Sequence, residues 1–176
     1  SANHTIISTD LAGTITMFNP AASRFLGYSP EEAVGKMTPV VFHKQEEMEA
    51  RAEALSRELG RPVSCGFEVF VAKARLGEPD ENEWTYVARD GKEIPVRLSV
   101  TSLRDAWGEV TGFLGIASDI SDRKDAERRL ARQSKELARS NSDLEEFASL
   151  ASHDLRAPLR AIANLSEWIE EELKDV

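Results

Sequence analysis

The chain has 176 residues, 41% hydrophobic and 30% charged, which fits one globular domain plus a charged extended helix, or two small domains. Its net charge of −9 argues against a nucleic-acid surface, which needs clustered Lys and Arg facing phosphates, and no apolar run approaches the roughly 18 residues of a membrane span. The single Cys65 excludes an internal disulfide and, with no signal-peptide pattern, points to a cytoplasmic location; any membrane anchor is expected outside this segment.

Thr5-Ile6-Ile7-Ser8-Thr9 is a β-branched run, Asp10-Leu11-Ala12-Gly13 reads as a turn, and Thr14-Ile15-Thr16-Met17-Phe18 returns as the second strand of a hairpin. Asn19-Pro20 opens a helix through Ala21, Ala22, Phe25 and Leu26 that Gly27 closes. Another short helix starts at Ser29 as N-cap, with Pro30 in its first position and Glu32 where a capping box needs it, and is expected to end at Gly35. Residues 39–43 form an apolar connector, and 44–59 a charged helix stopped by Gly60 and Pro62. Phe67, Phe70, Val71 and Ala74 fall at helical spacing, so residues 66–76 read as a helix, although Val69, Phe70 and Val71 also favour strand.

Residues 83–88 then read as a strand, and Arg89-Asp90-Gly91-Lys92 carries the Asp-Gly hairpin signal. Ile94, Val96, Leu98 and Val100 alternate along the next strand, Asp105-Ala106-Trp107-Gly108-Glu109 turns the chain, and residues 110–119 form the last strand. Gly112 and Gly115 within it predict a bend or a close approach of backbone. This order predicts an α+β fold, a five-stranded antiparallel sheet with helices on one face, followed by a long C-terminal coiled-coil helix.

Several of these pieces together resemble the PAS sensor family over roughly residues 4–124. They are Thr9-Asp10 with Gly13, Asn19-Pro20-Ala21, Leu26-Gly27-Tyr28-Ser29-Pro30-Glu31-Glu32 with Gly35-Lys36, Arg89-Asp90-Gly91, and the exit Gly112-Phe113-Leu114-Gly115-Ile116-Ala117-Ser118-Asp119-Ile120-Ser121. The resemblance implies a PAS fold and a role for Asp119, Ile120 and Ser121 in relaying a signal to the C-terminal helix. Some PAS sensors hold haem or flavin, and three residues bear on that. His43, near the start of a charged helix, reads as a surface or capping residue rather than a haem ligand. Cys65 lies in Ser64-Cys65-Gly66, outside the flavin-adduct motif, and reads as a small buried or semi-exposed residue. Trp84 and Tyr86 read as core aromatics of a half-buried strand. Neither haem nor flavin is expected and no metal site is read. The PAS ligand stays unnamed, with an apolar pocket between helices and sheet open to it.

Beyond Asp122 the chain turns polar and helical. Leu130, Leu137 and Leu144 recur every seven residues; taken as heptad position d, they place Ala148, Leu155, Ile162 and Ile169 at a, and Ala151 and Leu165 at d. This seam predicts a parallel homodimer through Leu130, Leu137, Leu144, Leu155, Ile162 and Ile169, with Ser134 and Asn141 as polar a positions. In the same phase His153 falls at f, facing solvent, where a neutral imidazole is open to act as a nucleophile. Asp154 beside it can take a proton, and Pro158 predicts a loosened helix one turn on.

Ser152-His153-Asp154-Leu155-Arg156-Ala157-Pro158-Leu159 resembles the phospho-acceptor box of sensor histidine kinases. The resemblance implies that His153 is the phospho-acceptor and Asp154 its acid/base partner. It implies a parent that supplies an ATP-binding domain with ATP and Mg, and a response regulator receiver domain as partner. Ala157 stands where the family often has the Thr or Asn that helps dephosphorylation, so loss of phosphatase function is expected. The expected organisation is a PAS sensor domain at 4–120, a coiled-coil linker at 121–146 and an incomplete first helix of the dimerisation and phosphotransfer domain at 147–176. Without the ATP-binding domain this segment alone is expected to be inactive. The rival reading is a PAS ligand-binding and dimerisation module whose histidine is inert.

Overall fold

Alternating burial along Glu93–Arg104 (β4), with Ile94, Val96, Leu98 and Val100 turned inward, fixes one apolar face for the sheet. The structure, a computed structural model, describes residues 4–172, apart from the side chains of 149–154, 157 and 165–172. The other strands are His4–Thr9 (β1), Ile15–Phe18 (β2), Asp80–Val87 (β3) and Val110–Asp119 (β5). They form one five-stranded sheet in the order β2-β1-β5-β4-β3, with every pairing antiparallel. The first and last strands are therefore neighbours, in the register Ile6 to Ile116 and Thr9 to Phe113.

The helices are Pro20–Leu26 (α1), Pro30–Ala33 (α2), Gln45–Leu59 (α3) and Glu68–Arg75 (α4), with a 3-10 turn at Pro39–Phe42. They close over the inner face of the sheet, where Phe42, Met48, Leu55, Val69 and Phe113 are buried in one cluster. Asn19 joins strand to helix: its Oδ1 accepts from Ala22 N at 2.8 Å and from Ile6 N at 3.1 Å, and its amide donates to His4 O at 3.1 Å. The capping box on α2 is formed, with Glu32 N donating to Ser29 Oγ at 3.3 Å and Ser29 N to Glu32 Oε2 at 2.9 Å.

The boundaries of α2 and β3 differ most from the sequence reading. Helix α2 stops at Ala33, because Val34 is already extended at ψ 128°. Strand β3 begins at Asp80, since cross-strand pairing of Asp80 with Val100 and of Asn82 with Leu98 overrides the weak strand preference of Asp80-Glu81-Asn82. The expected close approach in β5 is present. A Cβ on Gly112 would lie 2.1 Å from Thr9 O, so only glycine lets β1 pack there.

After β5 the chain enters Ser121–Glu172 (α5), helical through Pro158. The chain divides into two compact units, Ser1–Lys124 and Asp125–Val176. On the second, Arg128 pairs with Asp125 at 3.1 Å and Arg132 with Glu136 at 3.2 Å, the spacings at which neighbouring helix turns meet.

Gly112→Ala is expected to destabilise the first unit by about 1–3 kcal/mol or to prevent folding, because backbone and not a mobile side chain stands in the way. Gly115→Ala, whose nearest neighbour is Leu98 Cδ1 at 3.4 Å, should cost less. Thermal unfolding of the two variants decides; equal loss would refute the close approach.

Candidate sensor cavity and signalling helix

The 3-10 turn ends by delivering His43 to the sheet, where it forms an isolated bridge with Tyr86. Its ring is buried, 4.2 Å from Phe70 between centroids and edge-on to Trp84 and Tyr86 at 5.3 and 4.9 Å. Nδ1 donates to Pro39 O at 2.8 Å. The expectation of a surface or capping residue is therefore overturned. Lys44, not His43, sits at the N-cap of α3, and the bridge to β3 turns the imidazole inward. The available signal was the apolar run Pro39-Val40-Val41-Phe42 leading into His43, of which Phe42 and His43 are buried and Val41 is exposed.

Burial pushes the His43 pKa from its ordinary 6.5 down to about 4, against a smaller upward pull from the Pro39 carbonyl. Tyr86 is pushed well above the usual phenol range by the same desolvation, with the Thr5 hydroxyl opposing. His43, Thr9, Tyr86, Phe67, Phe70 and Phe113 line a cavity of about 30 Å³ between α4 and the sheet. Trp84 is buried beside it, as expected of a core aromatic. Cys65 is exposed, which corrects the reading of a small buried or semi-exposed residue: it lies in the surface segment between α3 and α4, with Gln45 Nε2 at 3.7 Å from its sulfur.

Alternation along β3 links this cavity to two other elements. Trp84 and Tyr86 face inward, while Thr85 donates from N and Oγ1 to the Glu47 carboxylate on α3 at 2.8 and 2.7 Å. Asp80, itself buried, is paired with Arg51 at 2.8 Å and bonded by Asn82 Nδ2 at 2.6 Å. Glu83 meets the first turn of α5, with Lys124 Nζ at 2.5 Å and the Arg123 guanidinium beside it, and these two cations hold its carboxyl below the usual range.

Of the residues expected to relay a signal, Asp119 Oδ1 accepts from Ser121 N at 2.7 Å, capping α5. Ile120 is buried; its N donates to Pro95 O at 3.0 Å and its O accepts from Lys124 N at 2.9 Å. Sequence reading missed Glu83, Pro95, Arg123 and Lys124, whose part depends on pairing between distant strands. His153 and Asp154 lie on the backbone of α5, but their side chains, with those of Ala157 and Ile169, fall outside the described residues. Leu130, Leu137, Leu144, Leu155 and Ile162 are all exposed on the single chain.

One antiparallel sheet with its helices gathered over a small cavity defines an α+β single-sheet domain. The PAS fold matches residues 1–120, and the chain belongs to that family. It is similar to the C4-dicarboxylate transport sensor protein DctS of Rhodobacter capsulatus, 32% identical over 161 residues that cover 88% of this chain and 22% of the relative. It is also similar to the signal transduction histidine-protein kinase AtoS of Escherichia coli, 28% identical over 172 residues, covering 97% of this chain and 24% of the relative. The chain thus spans about a quarter or less of the length of these relatives. Among solved structures, the PAS domain of a protein from Colwellia psychrerythraea superposes with a TM-score of 0.53 at 21% identity, over 69% of this chain and 89% of that one, and shares the fold. Among the described residues no helix is long and apolar enough to cross a membrane.

The buried neutral His43 makes stability depend on pH. Its pKa is lower folded than unfolded, so between about 4 and 6.5 the unfolded chain binds more protons; stability is full above 6.5 and is lost as pH falls through this window. The loss should reach about 2 kcal/mol by pH 5. His43→Phe should flatten this part of the profile in denaturant unfolding. An unchanged slope would show that the imidazole does not titrate with folding.

Proposed function

We propose that the chain is the sensory and dimerisation part of a two-component sensor histidine kinase, in which the PAS domain controls phosphorylation of His153 and transfer to a response-regulator aspartate. The observation that carries this reading is the box Ser152–Leu159 on a helix that follows the sheet without interruption from Ser121. The alignment with a histidine-protein kinase supports it, since it covers 97% of this chain and so extends past the PAS domain. By this reading a change in the cavity moves β3 and the end of β5, and Asp119, Ile120 and Ser121 pass it to α5. Glu83 adds an electrostatic hold on the same turn. The helix has two packing states with different access to His153, biased by a distant site. ATP, Mg and the ATP-binding domain belong to the parent, and the segment alone is inactive.

The seam is the second part of the proposal. Leu130, Leu137 and Leu144 are 65%, 68% and 63% exposed on the single chain, an arrangement that supports a second copy covering them. Burying one such leucine is worth about 1.5–3 kcal/mol. Leu137→Asp with Leu144→Asp is expected to convert a parallel dimer to monomer in sedimentation, and a monomeric wild type would remove the seam.

Supplied with the parent's ATP-binding domain, the protein should take the γ-phosphate of ATP onto a His153 ring nitrogen as an acid-labile, base-stable phosphoramidate. His153→Gln should abolish labelling and leave the dimer intact, and Asp154→Asn should slow transfer by about 10²–10⁴-fold. His43→Gln should leave His153 as the labelled residue. Label that survives His153→Gln would favour the inert-histidine module.

A further inference from the structure

Outside the apolar core, at the end of the sheet where α5 begins, lies an open groove of about 430 Å³, within the size range of small-molecule sites. It runs between the end of α1 and the β3–β4 turn, which are tied together where Arg89 N donates to Leu26 O at 2.9 Å. It shares no lining residue with the cavity under α4. Leu26 and Ile94 are buried and Phe25 is half-buried, and these three give the groove its apolar part.

Exposed charges of both signs line the same groove, Arg24 and Lys92 against Asp90 and Asp119. Arg89, also in the lining, is taken by Glu32 at 2.9 Å and lies over the Tyr28 ring. Asp90 Oδ1 accepts from Lys92 N at 2.9 Å and Asp119 Oδ1 from Ser121 N at 2.7 Å, which leaves each carboxylate its second oxygen. Among the described residues neither the Arg24 guanidinium nor the Lys92 ammonium has a partner, and no ion pair joins the two signs across the groove. Opposite charges that share one ligand-sized space without pairing to each other suit a molecule that carries both signs. A simple anion would gain the two cations but meet the two carboxylates, and a simple cation the reverse.

We propose that this groove binds a zwitterion with an apolar side chain, a free amino acid or dipeptide of leucine's character. Its carboxylate meets Arg24 and Lys92, its ammonium meets Asp90 and Asp119, and its side chain lies against Phe25 and Ile94. Because Asp119 also caps α5, the occupant adjoins the first turn of the exit helix. This binding stands apart from the phosphotransfer proposed above, which labelling of His153 tests separately, so either can fail alone.

The decisive measurement is an NMR titration of the ¹⁵N-labelled 176-residue chain with leucine, leucyl-leucine, isocaproate and leucinamide, followed at the amides of Gly27, Ala88 and Ile94. Leucine or leucyl-leucine should shift these amides saturably, with half-saturation at about 10 mM or below; the tighter of the two tells whether amino acid or dipeptide fits better. Isocaproate, which lacks the ammonium, and leucinamide, which lacks the carboxylate, should each bind about tenfold more weakly. Arg24→Gln with Lys92→Gln should weaken the zwitterion by about tenfold, and so should Asp90→Asn, which keeps an acceptor for Lys92 N. A linear response to both zwitterions, equal binding of all four compounds, or affinity unchanged in the variants would each overturn the assignment. So would shifts confined to Val71 and Val100, which line the other cavity.

Discussion

Strand β5 is hydrogen-bonded along both edges, to β1 on one side and β4 on the other, and everything else takes its position from that double pairing. Residues brought in from opposite ends of the domain meet there: Ile7 faces Gly115 on one side, and Gly115 faces Val100 on the other. Gly112 of β5 admits the Thr9 carbonyl of β1 where a side chain would hold it off. The same strand sets the start of α5, because Asp119 pairs with Val96 and then caps the helix through Ser121. The start of the helix is thus held to the sheet by defined hydrogen bonds rather than by a slack linker.

Local chemistry was legible in the sequence wherever a few adjacent residues decide the outcome. The capping box at Ser29 and Glu32, the Asp-Gly turn at Asp90 and Gly91 and the alternation of Ile94 through Val100 each specify their structure within a span of a few residues. Residues 66–76, ambiguous between helix and strand, resolve as α4 because five apolar side chains from Val69 to Ala74 can be buried at once beneath Gly-bounded ends. What was not legible depends on contacts between remote segments. His43 looked like a helix-start residue until pairing with Tyr86 turned it inward, and Glu83 looked like any charge on a strand until α5 came alongside. The front of β3 is strand only because β4 is there to pair with it.

Energetically, β3 carries contacts of two unlike kinds. Asp80 with Arg51 is a buried pair, where losing one partner strands a charge, so it fixes where α3 lies on the sheet. Glu83 with Lys124 and Arg123 is half-exposed and screened by solvent, so it adds little to stability and can be made or broken at low cost. The strand therefore carries a firm contact at one end and a soft one near the exit helix.

The neighbouring position of β1 and β5 also governs the order of events during synthesis. The sheet cannot close while β5 is still inside the ribosome, since β1 has no partner on that side until residues 110–119 emerge. The leucines at 130, 137 and 144 come out only afterwards, at about 5–20 residues per second. Each chain therefore has every strand of its sheet out of the ribosome before it presents the exposed leucines.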